Sequence, residues 1–305
     1  MRRVPDTRRN RERFLARQPA GIRKCFDSYF RKLSRLRRRN RKPRAAWLRL
    51  PYWKILPTVL FDSFHGETPR PHLPRGFLPD IQWGQYCLYL FIRFQDDLFD
   101  GQANEPALIY ASDQCLLEAD RIFAKFFPLN SWFWNEYRRN LICTTQSIVE
   151  VDDMLRKSTC RSEDLLEGYA RESAILKVGS AALCAVARRH RAYKLVSLFC
   201  DEMAKAGQIV DDLRDLDEDL RKKRYNYVAN VLRRSGEHAP ARVRVNVVFN
   251  NLRLTAVMEQ ISAEVGNHIS KASAAIEPLA IAGMKTYLAR RLNNLPESSR
   301  ISWGM

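Results

Sequence analysis

Residues 207–227 read GQIVDDLRDLDEDLRKKRYNY, and any fold for this chain must house the carboxylates at their centre. Asp211, Asp212 and Asp215 stand at helical spacing, with Asp217, Glu218 and Asp219 just beyond. An upstream cluster of the same form, Asp96, Asp97 and Asp100, lies in FIRFQDDLFDG. In a helix, side chains at i and i+4 share a face, so Asp96 and Asp100 stack one turn apart, as do Asp211 and Asp215. Like charges so placed destabilise a bare helix. The residues between the acids (Leu98, Phe99, Leu213) and those before them are apolar, so both clusters are expected to border a core. Buried unpaired carboxylates are costly, and a divalent cation offsets that cost. Hard oxygens without His or Cys select Mg²⁺ or Mn²⁺. Asp152 and Asp153 are the contrasting case: Arg156 and Lys157 follow four residues on, and a solvated, salt-bridged face accounts for them.

Periodicity elsewhere is helical. Ile22, Cys25, Phe26, Tyr29, Phe30, Leu33 and Leu36 mark an amphipathic helix with a basic outer face. Helices are predicted over Trp53–Phe64, from an N-cap at Asp80 through the first cluster, and from Pro106 to about Phe126. Four prolines between 65 and 79 exclude regular helix there. Ser131 and Ser162 are read as caps of helices reaching Lys157 and His190; further helices cover Tyr193–Arg221, Tyr225–Arg233, a stretch ending at Ile276, and Pro278–Leu292. Only 241–249, ARVRVNVVF, alternates like a strand, and with nothing to pair with it is read as helix. The expected fold is all-α, a single-domain bundle of about ten helices around a central apolar cavity.

The net charge of +18 suggests a nucleic-acid partner until it is located. Residues 1–44 hold 18 Lys/Arg against three acids, leaving +3 for the other 261 residues. The basicity belongs to a segment, 1–44, read as an arm (disordered to about residue 20) followed by the amphipathic helix; 45–305 form the helical domain. RLRRRNRKPR carries no interleaved aromatics, so nucleic acid is a poor fit; weak contact with an anionic membrane surface is the alternative to a plain solvated face. Seven scattered cysteines exclude a disulfide framework and a zinc site, and no apolar run is long enough to span a membrane. A cytoplasmic, at most membrane-peripheral, protein is expected.

Two metal-bearing helices facing each other would trap a polyphosphate, with Lys177 in AILKVGSAAL, and Lys222, Lys223 and Arg224, as neutralising cations. Gly179 beside Lys177 permits a close approach or loosens the helix. At this level DDLFD, LKVGSAAL and GQIVDDLRD resemble, in order, the motifs of the class I isoprenoid synthase superfamily, nearest to its trans-prenyl diphosphate synthases and related terpene synthases. The resemblance covers about residues 50–230. It implies three Mg²⁺ ions, with Mn²⁺ as a substitute. Asp96 and Asp100 would ligate two and Asp211 and Asp215 the third, with Asp97 and Asp212 holding metal-bound water or outer contacts. Lys177 would contact the diphosphate, beside Gln208. The reaction implied is ionisation of a linear allylic prenyl diphosphate, C10 to C20, in a cavity lined by Tyr86, Phe91, Phe94 and Phe99.

Departures from the pattern narrow the expectation. Where chain-elongating members have Arg-Arg-Gly after the first motif, this chain has GQANEP, with Glu105 and Pro106. Of the upstream Gly-Lys-x-x-Arg-Pro-like segment only Lys54 survives, in YWKILP. A terpene synthase using one substrate is therefore expected. The alternatives are a prenyltransferase that adds isopentenyl diphosphate or another acceptor, and a non-enzymatic helical binding protein with a basic arm. The resemblance also implies a homodimer.

Overall fold

The computed structural model describes residues 7–39, 52–66, 76–99, 101, 103, 105–156, 161–222, 226–234, 252–281, 283, 284, 287 and 288. Every regular element among them is helical, as expected. The helices are α1 (Arg8–Ala16), α2 (Ala20–Arg39), α3 (Tyr52–Gly66), α4 (Phe77–Phe99), α5 (Ala107–Phe123), α6 (Trp132–Arg156), α7 (Ser162–Glu172), α8 (Val178–Val186), α9 (His190–Lys222), α10 (Tyr227–Arg234) and α11 (Leu252–Ile276), with 3₁₀ turns at Ser173–Lys177 and Glu277–Leu279. The strand-like stretch 241–249, and most of 278–292, lie outside the described residues. So do the side chains of Asp100, Lys222, Lys223 and Arg224. Among the described residues no helix is long and apolar enough to cross a membrane.

The described residues divide into two compact units: those up to Asn140 with Ile175–Tyr193, and those of Leu141–Ala174 with the described residues from Lys194 onward. The first is built on α4. Its sequence is apolar almost all round, the signature of a fully buried helix, and Ile81, Cys87, Leu88, Leu90 and Phe94 are closed off from solvent. A Cβ on Gly84 would lie 3.0 Å from Phe123, so that glycine lets α5 close against α4. Ser112 of α5 donates to the Phe91 carbonyl (2.9 Å), and Gln82 of α4 donates to Thr58 of α3 (2.7 Å).

The arm expected to be disordered to residue 20 is instead helical from Arg8, and its apolar residues are spent on α4. Phe14 meets Phe26 and Trp83 edge-on at 5.2 and 5.8 Å; Phe26 and Tyr29 both pack on Phe94. Polar ties reinforce this. Arg17 and Arg121 share the buried Glu118 carboxylate, which also accepts from the Trp83 indole. Asn10 and Lys125 both reach Asp80. Asp80 is therefore no N-cap: α4 starts three residues earlier, after Gly76, whose φ of +93° suits a glycine.

The expected continuous helix from Ser162 to His190 is broken, and the break is built by one side chain. Gln85 of α4 accepts from the Gly179 N–H at 2.5 Å and donates to the Ile175 carbonyl at 3.2 Å. It thereby takes two backbone groups that would otherwise continue the helix, and α7 gives way to a 3₁₀ turn before α8 begins. A Cβ at residue 179 would stand 3.1 Å from Gln85 Oε1, so the partner that Gly179 admits is Gln85.

In the second unit α9 is the long element. Lys205 pairs with Glu202 (3.1 Å) on its own helix and with Glu167 of α7, and Glu202 also bonds His268 of α11 at 2.7 Å. Val151 of α6 fits over Gly168 of α7, where a Cβ would lie 2.5 Å from the valine. Asn230 of α10 donates to Ser162 at the start of α7, so this serine acts as an acceptor between helices and Arg161 takes the N-cap position.

Candidate functional site

The C-terminal turn of α4 carries the first carboxylate cluster. Asp96 is exposed and Asp97 is buried, 2 % accessible. Both are engaged by Arg93, one turn back: Nη1 lies 2.8 Å from Asp96 Oδ2 and Nη2 lies 2.7 Å from Asp97 Oδ1. Burial opposes the Arg93 charge, but Asp96 and Asp97 outweigh it and raise its pKa. The Tyr29 hydroxyl lies near the same guanidinium; its pKa is raised by burial and then by Asp97, with Arg93 opposing. Gly101, at φ +65°, ends the helix, and the Ala103 N–H closes on the Asp97 carbonyl at 2.9 Å.

An aromatic face of α4 leads to this cluster. Tyr86 and Tyr89 stack on Trp53 of α3 at 6.5 and 5.0 Å, and Lys54 Nζ sits over the rings of Trp53 and Tyr86 at 5.0 and 4.7 Å. Of the expected cavity residues, Tyr86 lies on this face. Phe91 and Phe94 are core: Phe94 has no accessible surface and is enclosed by Phe26 and Tyr29. Phe99 is 64 % exposed. The substituted position Glu105 lies beside the Cys25 thiol, whose pKa burial and then this carboxylate push up.

The second cluster divides into two kinds of carboxylate. Asp211 and Asp215 are exposed on α9. Asp212 is buried with both oxygens engaged: Oδ1 accepts from Gln208 at 2.6 Å and Oδ2 from the Tyr227 N–H at 2.7 Å. Burial pushes its pKa up to about 6 despite these bonds. Asn226 completes the turn, donating to the Asp212 carbonyl (2.6 Å) and to Asp219 (2.8 Å) while accepting from Ala229. Asp212 and Asn226 thus tie α9 to the start of α10. Lys177 closes the 3₁₀ turn before α8 and is 6 % exposed.

Spacing alone singled out Asp96, Asp97, Asp100, Asp211, Asp212 and Asp215, of which Asp100 lies outside the described residues. It missed Arg93, although Arg93 stands three and four residues before the first two acids, the same relation by which Arg156 and Lys157 explained Asp152 and Asp153. Tyr29 and Gln85 act across the fold and leave no local signal. Among the described residues no three His, Cys, Asp or Glu side chains are grouped to hold a metal by themselves.

No family model matches the chain, and no curated protein does. The structure is similar to a decaprenyl diphosphate synthase from Rhodobacter capsulatus, with a TM-score of 0.58 and 12 % identity over 90 % of this chain and 99 % of that one. At that identity the likeness shows the fold: all-α and isoprenoid synthase-like.

Proposed function

We propose that the chain is a Mg²⁺-dependent enzyme that ionises a linear allylic prenyl diphosphate, in the manner of a terpene synthase acting on one substrate. The reading is carried by one observation: within an isoprenoid synthase-like fold, α9 presents Asp211 and Asp215 exposed one turn apart, and the last turn of α4 carries Asp96 and Asp97. The donor set suits the metal. Asp96, Asp97, Asp211 and Asp215 offer hard oxygens and no thiolate or imidazole, the ligand chemistry of Mg²⁺. Asp212 is committed to Gln208 and Tyr227, so its part is to position Asp211 and Asp215. Bound Mg²⁺ would neutralise the departing diphosphate.

The remaining roles fall to the chain itself. Lys177, nearly buried, would add a fixed positive charge toward the diphosphate. The aromatic face of Trp53, Tyr86 and Tyr89 would keep water from a developing carbocation and offer ring faces to its charge. A transferase that adds an acceptor diphosphate is the second reading. It is favoured by the likeness to a decaprenyl diphosphate synthase and by the survival of Lys54 beside this face.

Incubation with Mg²⁺ and C10, C15 or C20 diphosphates, with and without isopentenyl diphosphate, separates the two. Hydrocarbon or alcohol from one substrate, seen by mass spectrometry, supports the synthase; longer diphosphates formed only with the acceptor support the transferase. Chelating the metal should abolish either product, and Asp96→Asn or Asp211→Asn should lower turnover at least about a hundredfold. Folded protein that converts none of these diphosphates sinks both.

A further inference from the structure

The first carboxylate cluster already holds a cation. One guanidinium lies between the neighbouring carboxylates Asp96 and Asp97, donating a hydrogen bond to Asp96 at 2.8 Å and forming an ion pair with Asp97 Oδ1 at 2.7 Å. Three features set this apart from a surface pair at helical spacing. Asp97 is a buried carboxylate whose side chain is only 3 % exposed, where an uncompensated charge is costly. The guanidinium is met from a second element, because Tyr29 of α2 lies close enough to exchange charge effects with it. Tyr29 in turn is fixed by its edge-on contact with Phe94, ring centroids 4.6 Å apart.

A metal ion cannot use the same oxygens while this arrangement stands. Mg²⁺ demands close, near-octahedral oxygen coordination and gives up water reluctantly. A second cation within hydrogen-bonding reach of its ligands would repel it. We propose that Arg93, with Tyr29 beside it, is a resident counter-cation of the α4 carboxylates that Mg²⁺ must displace, so that Arg93 sets the metal concentration at which this cluster fills. The proposal rests on the Mg²⁺-dependent reading above. It gives helix α2 a functional part through Tyr29, and it makes Arg93 a competitor of the metal for the same carboxylates.

The test is direct metal binding, with free Mn²⁺ followed by electron paramagnetic resonance. Full-length protein carrying Asp211→Asn and Asp215→Asn confines the readout to the α4 cluster. In that background Arg93→Gln should tighten Mn²⁺ binding roughly tenfold. Arg93→Lys, which keeps the charge on a single ammonium, and Tyr29→Phe, which removes the neighbouring hydroxyl and keeps the ring, should each tighten it less. Adding Asp96→Asn to Arg93→Gln should remove the gain. Equal or weaker binding after both Arg93 substitutions, with helicity retained by circular dichroism, overturns the counter-cation and leaves the Mg²⁺ reading standing. Absence of Mn²⁺ binding in every folded variant and in the native chain overturns both.

Discussion

Single side chains decide more of this structure than the motifs do. Gln85 serves two backbone groups beyond α4 at once, and Gln85→Leu would remove the bonds it makes to the Gly179 N–H and the Ile175 carbonyl. A lost buried hydrogen bond costs about 1–3 kcal/mol, and a loss of about that size is expected in urea unfolding. Asp211 and Asp212, adjacent in sequence, should behave oppositely. Asp212→Ala strips the acceptors from Gln208 and Tyr227 and should cost about 1–3 kcal/mol in metal-free thermal unfolding. Asp211→Asn, on the exposed face, should move stability by no more than about 0.5 kcal/mol while removing activity. The acids were legible because helical spacing is local information. Which of two neighbouring acids would be buried was not, since that depends on where the chain returns at Tyr227.

At the scale of elements, the sequence reveals the long helices and mistakes the edges. α3, α5, α6, α9 and α11 follow the predicted segments because apolar periodicity, caps and prolines act within a few residues. α1 was invisible: Pro5, Pro19 and a run of arginines look disordered until Phe14 finds Trp83 and Phe26. Phe14→Ala should accordingly cost about 3 kcal/mol or more in chemical unfolding. The Glu118 lock over α1, α4 and α5 adds a pH signature. Burial raises the Glu118 pKa, but Arg121, then Arg17 and Trp83, overcome it and leave it below the ordinary 4.5. A depressed carboxylate pKa stabilises the fold above the unfolded value, and that contribution disappears as pH falls through the folded one. Thermal unfolding of the native chain should therefore show a loss below about pH 4.5 that Glu118→Gln flattens. At neutral pH this variant should be less stable by about 1–3 kcal/mol, because both arginines are half exposed.

Taken whole, the chain is basic at one end and nearly neutral elsewhere, yet its basic end is not detachable. Apolar residues of α1 and α2 belong to the core around α4, while Arg9, Arg13, Lys24 and Arg31 stay in solvent. Replacing those four by glutamine should leave unfolding within about 1 kcal/mol of the native chain, whereas removing Phe14 should not. That contrast separates the charge of the segment from its packing, which deletion of residues 1–44 would confuse. Fold class was readable from composition and period because nothing competes with helix across most of the chain. The Gln85–Gly179 contact carries a consequence for descent. A side chain at 179 would press on the Gln85 amide 3.1 Å away, so the two positions cannot drift independently. Among relatives that keep the break before α8, glycine at 179 and glutamine at 85 should be inherited together; where one is replaced, the other should change with it.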